Sequence, residues 1–146
     1  MKIAVGCDHG GYKLKEHLKG LLQGQGHEVL DVGTYSDESC DYPDFAAKAA
    51  HAVAGGSVDL GILTCGTGLG MALAANKVKG IRAITCSDTF SAKMSREHNN
   101  ANILCLGERV VGFGLADMIT EIWLQTEFAG GRHARRVDKL MALEAE

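Results

Sequence analysis

Five short runs of aliphatic and β-branched residues recur along the chain, at Lys2–Cys7, Glu28–Val32, Leu60–Thr64, Arg82–Cys86 and Ile103–Leu106. Between them the apolar spacing changes to a helical period, as in Leu14, Leu18, Leu21 and Leu22, and again in Leu115, Met118, Ile119, Ile122 and Trp123. A strand followed by a helix, repeated in this way, demands right-handed crossovers, which set the strands parallel with helices on both faces. The expected fold class is therefore α/β: a three-layer α/β/α, Rossmann-like, doubly wound sheet of five parallel strands. A C-terminal helix is expected over roughly Arg132–Ala145, with Val137, Leu140 and Met141 on its apolar side and Gly130-Gly131 breaking the chain before it. With 146 residues and neither a low-complexity linker nor an internal repeat, residues 1–146 read as a single domain.

In doubly wound sheets ligands bind beyond the carboxyl ends of the strands. The residues there are Asp8-His9-Gly10-Gly11, Gly33-Thr34, Cys65-Gly66-Thr67-Gly68-Leu69-Gly70, Ser87-Asp88 and Gly107-Glu108-Arg109. The segment from Cys65 to Gly70 follows the central strand and leads into a helical stretch around Met71–Lys77. Its glycines let the backbone approach a ligand closely, and amides at a helix N-terminus face negative charge, so it reads as a cradle for an oxyanion or phosphate. It has no following Gly-Lys-Ser or Gly-Lys-Thr, and its G-x-G-x-G spacing is not the dinucleotide pattern. A tight turn without a ligand would use the same glycines.

Cys65 sits where strand gives way to cradle, and the positive end of the helix would stabilise its thiolate as a base or nucleophile. The alternative is a packed, inert thiol. His98, beside Asn99 in the polar stretch Ser95–Asn100, is a candidate acid–base group, since histidine gives and takes protons near neutral pH. Arg132 and Arg136 lie four apart and project from one helical face, where two guanidinium forks match a phosphate. A solvated basic helix end would look the same, as Arg135 beside them indicates.

The formal net charge of −3 and the lack of a basic block argue against a nucleic-acid partner. No apolar stretch reaches membrane length and the N-terminus lacks a signal-peptide pattern, so a cytoplasmic protein without membrane contact is expected. The five cysteines are odd in number and form no C-x-x-C pair, which suggests reduced thiols. The six histidines are scattered without short-spaced pairs, so metal-independent chemistry without a cofactor is expected.

Taken in order, Gly6-Cys7-Asp8-His9-Gly10-Gly11, Asp41-Tyr42-Pro43-Asp44, Cys65 to Gly70, Ala75-Asn76-Lys77, Gly80-Ile81-Arg82-Ala83, Arg96-Glu97-His98-Asn99, Gly107 to Gly112 and Gly131-Arg132-His133 span the whole chain. In these segments it resembles the type B ribose 5-phosphate isomerases, grouped with the galactose 6-phosphate isomerase subunits. The resemblance implies an aldose–ketose isomerase that acts on a phosphorylated sugar through an enediolate. Cys65 would be the proton-shuttling base, with Gly66, Thr67, Gly68, Leu69, Gly70 and Asn99 holding the enediolate oxygens. His98 would open the furanose ring, Asp8 would bind sugar hydroxyls, and Tyr42 and Thr67 would line the pocket. Thr67 could also donate a hydrogen bond to the substrate or to Cys65. His9, Arg132 and Arg136 would hold the phosphate, with Arg109 arriving from a neighbouring subunit together with His98 and Asn99. A homodimer or dimer of dimers, with active sites shared between subunits, is implied. Asp8, His9 and Cys65 favour the ribose enzyme, although relatives with this framework act on allose 6-phosphate, galactose 6-phosphate or four-carbon ketose phosphates. From other classes, a nucleotide-binding domain or a thiol redox protein would also use a glycine loop or a cysteine, but Cys65 has no resolving cysteine beside it.

Overall fold

A computed structural model describes residues 1–146. Its strands are β1 (Lys2–Cys7), β2 (Glu28–Asp31), β3 (Leu60–Cys65), β4 (Ala83–Thr85) and β5 (Ile103–Gly107). Its α-helices are α1 (Tyr12–Gly24), α2 (Tyr42–Ala54), α3 (Leu69–Ala75), α4 (Thr89–Glu97), α5 (Phe113–Gln125) and α6 (Arg132–Ala142). The strands form one parallel sheet in the order β2-β1-β3-β5-β4, which is the expected doubly wound class.

That order, combined with right-handed crossovers, decides where each helix lies. The connections from β1 to β2 and from β4 to β5 step one way across the sheet and carry α1 and α4, while those from β2 to β3 and from β3 to β4 step the other way and carry α2 and α3. The two groups must fall on opposite faces. Leu14, Leu18 and Leu22 of α1 pack in one layer with Ala92 of α4 and with Ala116, Ile119 and Trp123 of α5. Ala46, Ala49, Ala50 and Val53 of α2 share the other layer with Met71 and Ala75 of α3. Alternate strand residues feed the two layers: Ile3, Val5, Ile62, Leu104 and Leu106 face the first, and Ala4, Leu63, Cys65, Ile103 and Cys105 the second. Burial on both faces is why these strands read as continuous apolar runs.

Element ends differ from the sequence reading where local geometry decides them. β2 stops at Asp31 rather than Val32, because Gly33 turns the chain at φ 93°. β3 and β5 each run one residue further than expected, with Cys65 paired in register to Gly107. The edge strand β4 keeps only Ala83–Thr85 of the expected Arg82–Cys86, and α3 begins at Leu69 and ends at Ala75 rather than covering Met71–Lys77. α6 ends at Ala142 and tightens into a 3-10 turn over Leu143–Ala145. Only Val137 of its apolar side is buried; Leu140 and Leu143 are 48% and 57% exposed. No helix is long and apolar enough to cross a membrane.

A buried charge cluster fixes the edge of the sheet beside α1. Lys15, 1% exposed, places Nζ 3.0 Å from both Asp31 carboxylate oxygens and 2.6 Å from the Thr34 carbonyl, and Lys19 adds a second contact to Asp31 at 3.0 Å. Burial by itself would raise the Asp31 carboxyl, but the Gly33 N–H and the two lysines outweigh it and hold the group below its usual range. A depressed carboxylate contributes stability that is full above its unfolded value of about 4 and is lost as pH falls through the lower folded value. Asp31→Asn is expected to cost about 3 kcal/mol at neutral pH. The gap from wild type should narrow as pH drops below about 4 in urea titrations of both proteins.

Candidate active site

Neighbouring strands β1 and β3 send their following chains in opposite directions, which opens a crevice between the two loops that leave them. Those loops are in backbone contact. A Cβ on Gly11 would lie 2.5 Å from the Thr64 carbonyl oxygen and 2.6 Å from the Cys65 nitrogen, so only glycine fits there. The Thr64 hydroxyl donates to the Gly11 carbonyl at 2.7 Å, and the Asp8 N–H donates to the Thr64 carbonyl at 3.3 Å. Asp8 is buried, and its Oδ1 accepts from the N–H groups of Gly10 and Gly11 at 2.9 and 3.2 Å. Its Oδ2 has no hydrogen-bond partner within the chain. His9 accepts the Cys40 N–H on Nδ1 at 3.2 Å, which leaves the proton of the neutral ring on Nε2.

Cys65 ends β3 and is 5% exposed, with the Gly68 N–H donating to its Sγ at 3.0 Å. Gly68 reaches that position at φ 81°, a left-handed backbone that brings its amide back over the sulfur. The N–H groups of Gly66, Thr67 and Gly70 have no acceptor within the chain. Thr67 Oγ1 accepts from the Leu69 N–H at 3.2 Å, so the hydroxyl proton is free to be donated. The Tyr42 ring packs on Gly70, where an added Cβ would lie 2.9 Å from Cε2. The loop after β5 closes over the same segment: Glu108 and Arg109 donate their N–H groups to the carbonyls of Cys65 and Gly66 at 2.9 and 3.0 Å. The Arg109 guanidinium lies across Gly66, with Nη1 3.1 Å from where a Cβ would stand. Within one chain Arg109 therefore groups with Cys65 and not with His98 and Asn99, because the β3–β5 register brings Gly107 beside Cys65.

A second cluster forms where α4 ends near the start of α6. His98, Asn99, His133 and Arg136 line a cavity of about 290 Å³ with Val137 and Leu140, and no residue of the glycine loop borders it. The rings of His98 and His133 stack with centroids 4.2 Å apart and planes 10° from parallel. Desolvation, then the positive charges of His98, Arg132 and Arg136, lower the His133 imidazole below the usual range. In the sequence His133 stands within Gly131-Arg132-His133, and no spacing signal brings it to His98, because the α5–α6 loop makes that connection. Glu108 was likewise seen only as a loop residue, yet its carboxylate accepts the Leu14 N–H at 2.7 Å and caps α1 from across the sheet.

Three of the other four thiols are poor bases. Burial pushes Cys7 up to about 12 and Cys86 to about 11, the latter with Asp88 adding to the effect, and Cys105 is raised well above the usual range by burial and by Cys65 and Cys86. No three His, Cys, Asp or Glu side chains gather as a metal ion would need.

These features give an α/β fold with a candidate active site at the switch point of its sheet. A family model described as ribose/galactose isomerase matches residues 3–140. Ribose-5-phosphate isomerase B of Escherichia coli strain K12 is 53% identical over 143 residues, covering 98% of this chain and 96% of the relative. The solved structure of Clostridium thermocellum ribose-5-phosphate isomerase B superposes with a TM-score of 0.98 at 57% identity, covering 99% and 98% of the two chains. That of Mycoplasma genitalium ribose-5-phosphate isomerase B, with ribulose-5-phosphate bound, gives a TM-score of 0.95 at 43% identity, covering 99% and 97%. The chain belongs to the ribose/galactose isomerase family and is an aldose–ketose isomerase.

Two glycine substitutions should move stability in opposite directions. Gly68→Ala forces a side chain into a left-handed backbone with its Cβ 3.0 Å from the Leu106 carbonyl carbon, and is expected to cost about 1–2 kcal/mol. Gly20→Ala, within α1 and meeting nothing within 4 Å, is expected to add about 0.5–1 kcal/mol. Urea unfolding midpoints of the two variants decide both.

Proposed function

We propose that this chain interconverts ribose 5-phosphate and ribulose 5-phosphate through an enediolate, without metal or cofactor, using Cys65 as its single base. The observation that carries this reading is the Gly68 N–H aimed at the Cys65 sulfur at 3.0 Å, in a loop whose Gly66, Thr67 and Gly70 amides are unpaired. The bond from Gly68 fixes the sulfur at the mouth of the loop, and amides without partners are ready-made donors for an oxygen that gains charge. The Mycoplasma relative solved with ribulose-5-phosphate supports a five-carbon substrate.

His98 opens the furanose to the aldehyde by general acid–base catalysis, giving a proton to the ring oxygen and taking one from the anomeric hydroxyl. Cys65 then takes the proton from C2, negative charge develops on O1, and the amides of Gly66 to Gly70 and the Asn99 side chain stabilise the enediolate. A proton then moves from the C2 hydroxyl to O1, and return of the proton from Cys65 to C1 leaves the carbonyl at C2, so one carbon base serves both transfers. Asp8 Oδ2 orients sugar hydroxyls, Thr67 and Tyr42 line the pocket, and His9, Arg109, Arg132 and Arg136 meet the phosphate. Because His98 and Arg136 line a cavity that the glycine loop does not border, the functional unit is a homodimer, or a dimer of dimers, with sites between chains. Exposed Leu140 on α6, Leu143 in the turn after it, and Leu69 and Leu73 on α3 offer apolar surface for that contact. The enzyme works in the cytoplasm.

Conversion of ribose 5-phosphate by wild type in the presence of a chelator, against a folded Cys65→Ala variant, tests the proposal. Wild type should turn over freely and the variant should lose about 10³-fold or more; equal rates would remove Cys65 as the base. His98→Asn should slow turnover of the cyclic aldose about 100-fold and that of the open-chain ketose far less. An equal loss in both directions, after correction for the equilibrium, would refute a ring-opening role. Arg136→Ala should raise KM about 10–100-fold with kcat nearly kept, as expected for a charge-assisted contact remote from the reacting carbons. Unchanged steady-state kinetics would take Arg136 out of the site.

A further inference from the structure

We infer that His133 is a positioning residue for His98: its imidazole, stacked on the His98 ring, holds that ring at the orientation in which a nitrogen meets the ring oxygen of a cyclic sugar phosphate. The inference rests on the isomerase reading of the site.

His98 follows the last residue of α4 and its backbone is held there by a bond from its N–H to the Met94 carbonyl at 2.8 Å. Its side chain has no such anchor. Neither ring nitrogen makes a hydrogen bond within the chain, and the nearest carboxylate oxygen, on Glu97, stands 3.9 Å away. What fixes the ring is the flat contact with His133, at 4.2 Å between centroids and 10° between planes. The two backbones that bear these rings are tied together, since the Ala129 N–H donates to the Glu97 carbonyl at 3.0 Å and the His133 N–H to the Gly130 carbonyl at 3.0 Å. The platform is thus set by the α5–α6 loop, and both ring edges border the cavity that Asn99 and Arg136 also line.

The charged and titratable groups bearing on His133 are His98 and Glu97 from the end of α4, and Arg132 and Arg136 from α6. Desolvation, then His98 and the two arginines, lower the His133 imidazole below its usual range, and Glu97 opposes them. In the positioning role the His133 ring supplies a flat surface.

The test compares His133→Phe, which keeps a flat ring, with His133→Ala, which removes it, each assayed on ribose 5-phosphate and on ribulose 5-phosphate beside wild type. His133→Ala is expected to lower kcat for the cyclic aldose about tenfold and to leave the ketose direction within about twofold, while His133→Phe stays within about twofold in both. The acid limb of the aldose pH profile should not move in His133→Phe. The His98 ring-proton resonances should shift downfield in His133→Ala only, as a ring-current neighbour is lost. Unchanged aldose turnover in His133→Ala, or equal losses in both variants, would overturn the inference, the second outcome making His133 a proton carrier. A wild type inactive on both sugars would overturn the isomerase reading and this inference together, whereas an active wild type confines any failure to His133.

Discussion

The contact that the site depends on is between two backbones. Gly11 lies so close to the Thr64–Cys65 peptide that no side chain fits between them, and the Thr64 hydroxyl and the Asp8 N–H bridge the same gap. On the far side of the glycine loop Gly107 makes the mirror-image approach, where a Cβ would lie 2.7 Å from the Thr67 Cα. The segment Cys65–Gly68 is therefore held between the loops that follow the two strands flanking β3. Its amides are therefore held in place by backbone contacts on both sides, as preorganised donors would be.

The same sheet order explains why the sulfur ends up where an amide can reach it. Cys65 points into the layer made by α2 and α3, whose buried face is largely alanine, so both helices approach the sheet closely and α3 begins directly over the end of β3. The bulky packing, Trp123 above all, is on the opposite face with α1, α4 and α5. Charge braces the frame at two places: the Lys15–Asp31 pair anchors the edge strand β2, and Glu108 caps α1 from the loop that carries Arg109. Stabilising devices and candidate site residues therefore share loops, with Glu108 and Arg109 adjacent in one of them.

Much of this was legible in the sequence. The alternation of apolar runs and helical spacing was enough for the parallel, doubly wound sheet, and the rule that ligands sit beyond strand ends led to Asp8, His9, Cys65–Gly70 and Arg109 before any coordinates. What was not legible depends on long-range approach. The end of β2 follows from the left-handed Gly33, α2 hides its buried face in alanines, and the Glu108 cap spans 94 residues. The His98–His133 stack joins residues on separate helices through a loop with no periodic signal. Placement of Arg109 beside Gly66 follows from strand register, a property of pairing and not of either strand alone.

The account holds that one chain carries two half-sites: the base and oxyanion donors at the switch point, and the ring-opening histidine with its phosphate-binding arginine at the junction of α4 and α6. Refolding an equimolar mixture of Cys65→Ala and His98→Asn chains tests this most directly. In a mixed dimer one of the two sites receives intact Cys65 from one chain and intact His98 from the other. Random pairing should then restore about one quarter of wild-type turnover of ribose 5-phosphate from two nearly inactive parents. Activity no greater than the sum of the parents, in a sample where native mass spectrometry shows mixed dimers, would contradict the account and put both groups in a single chain's site.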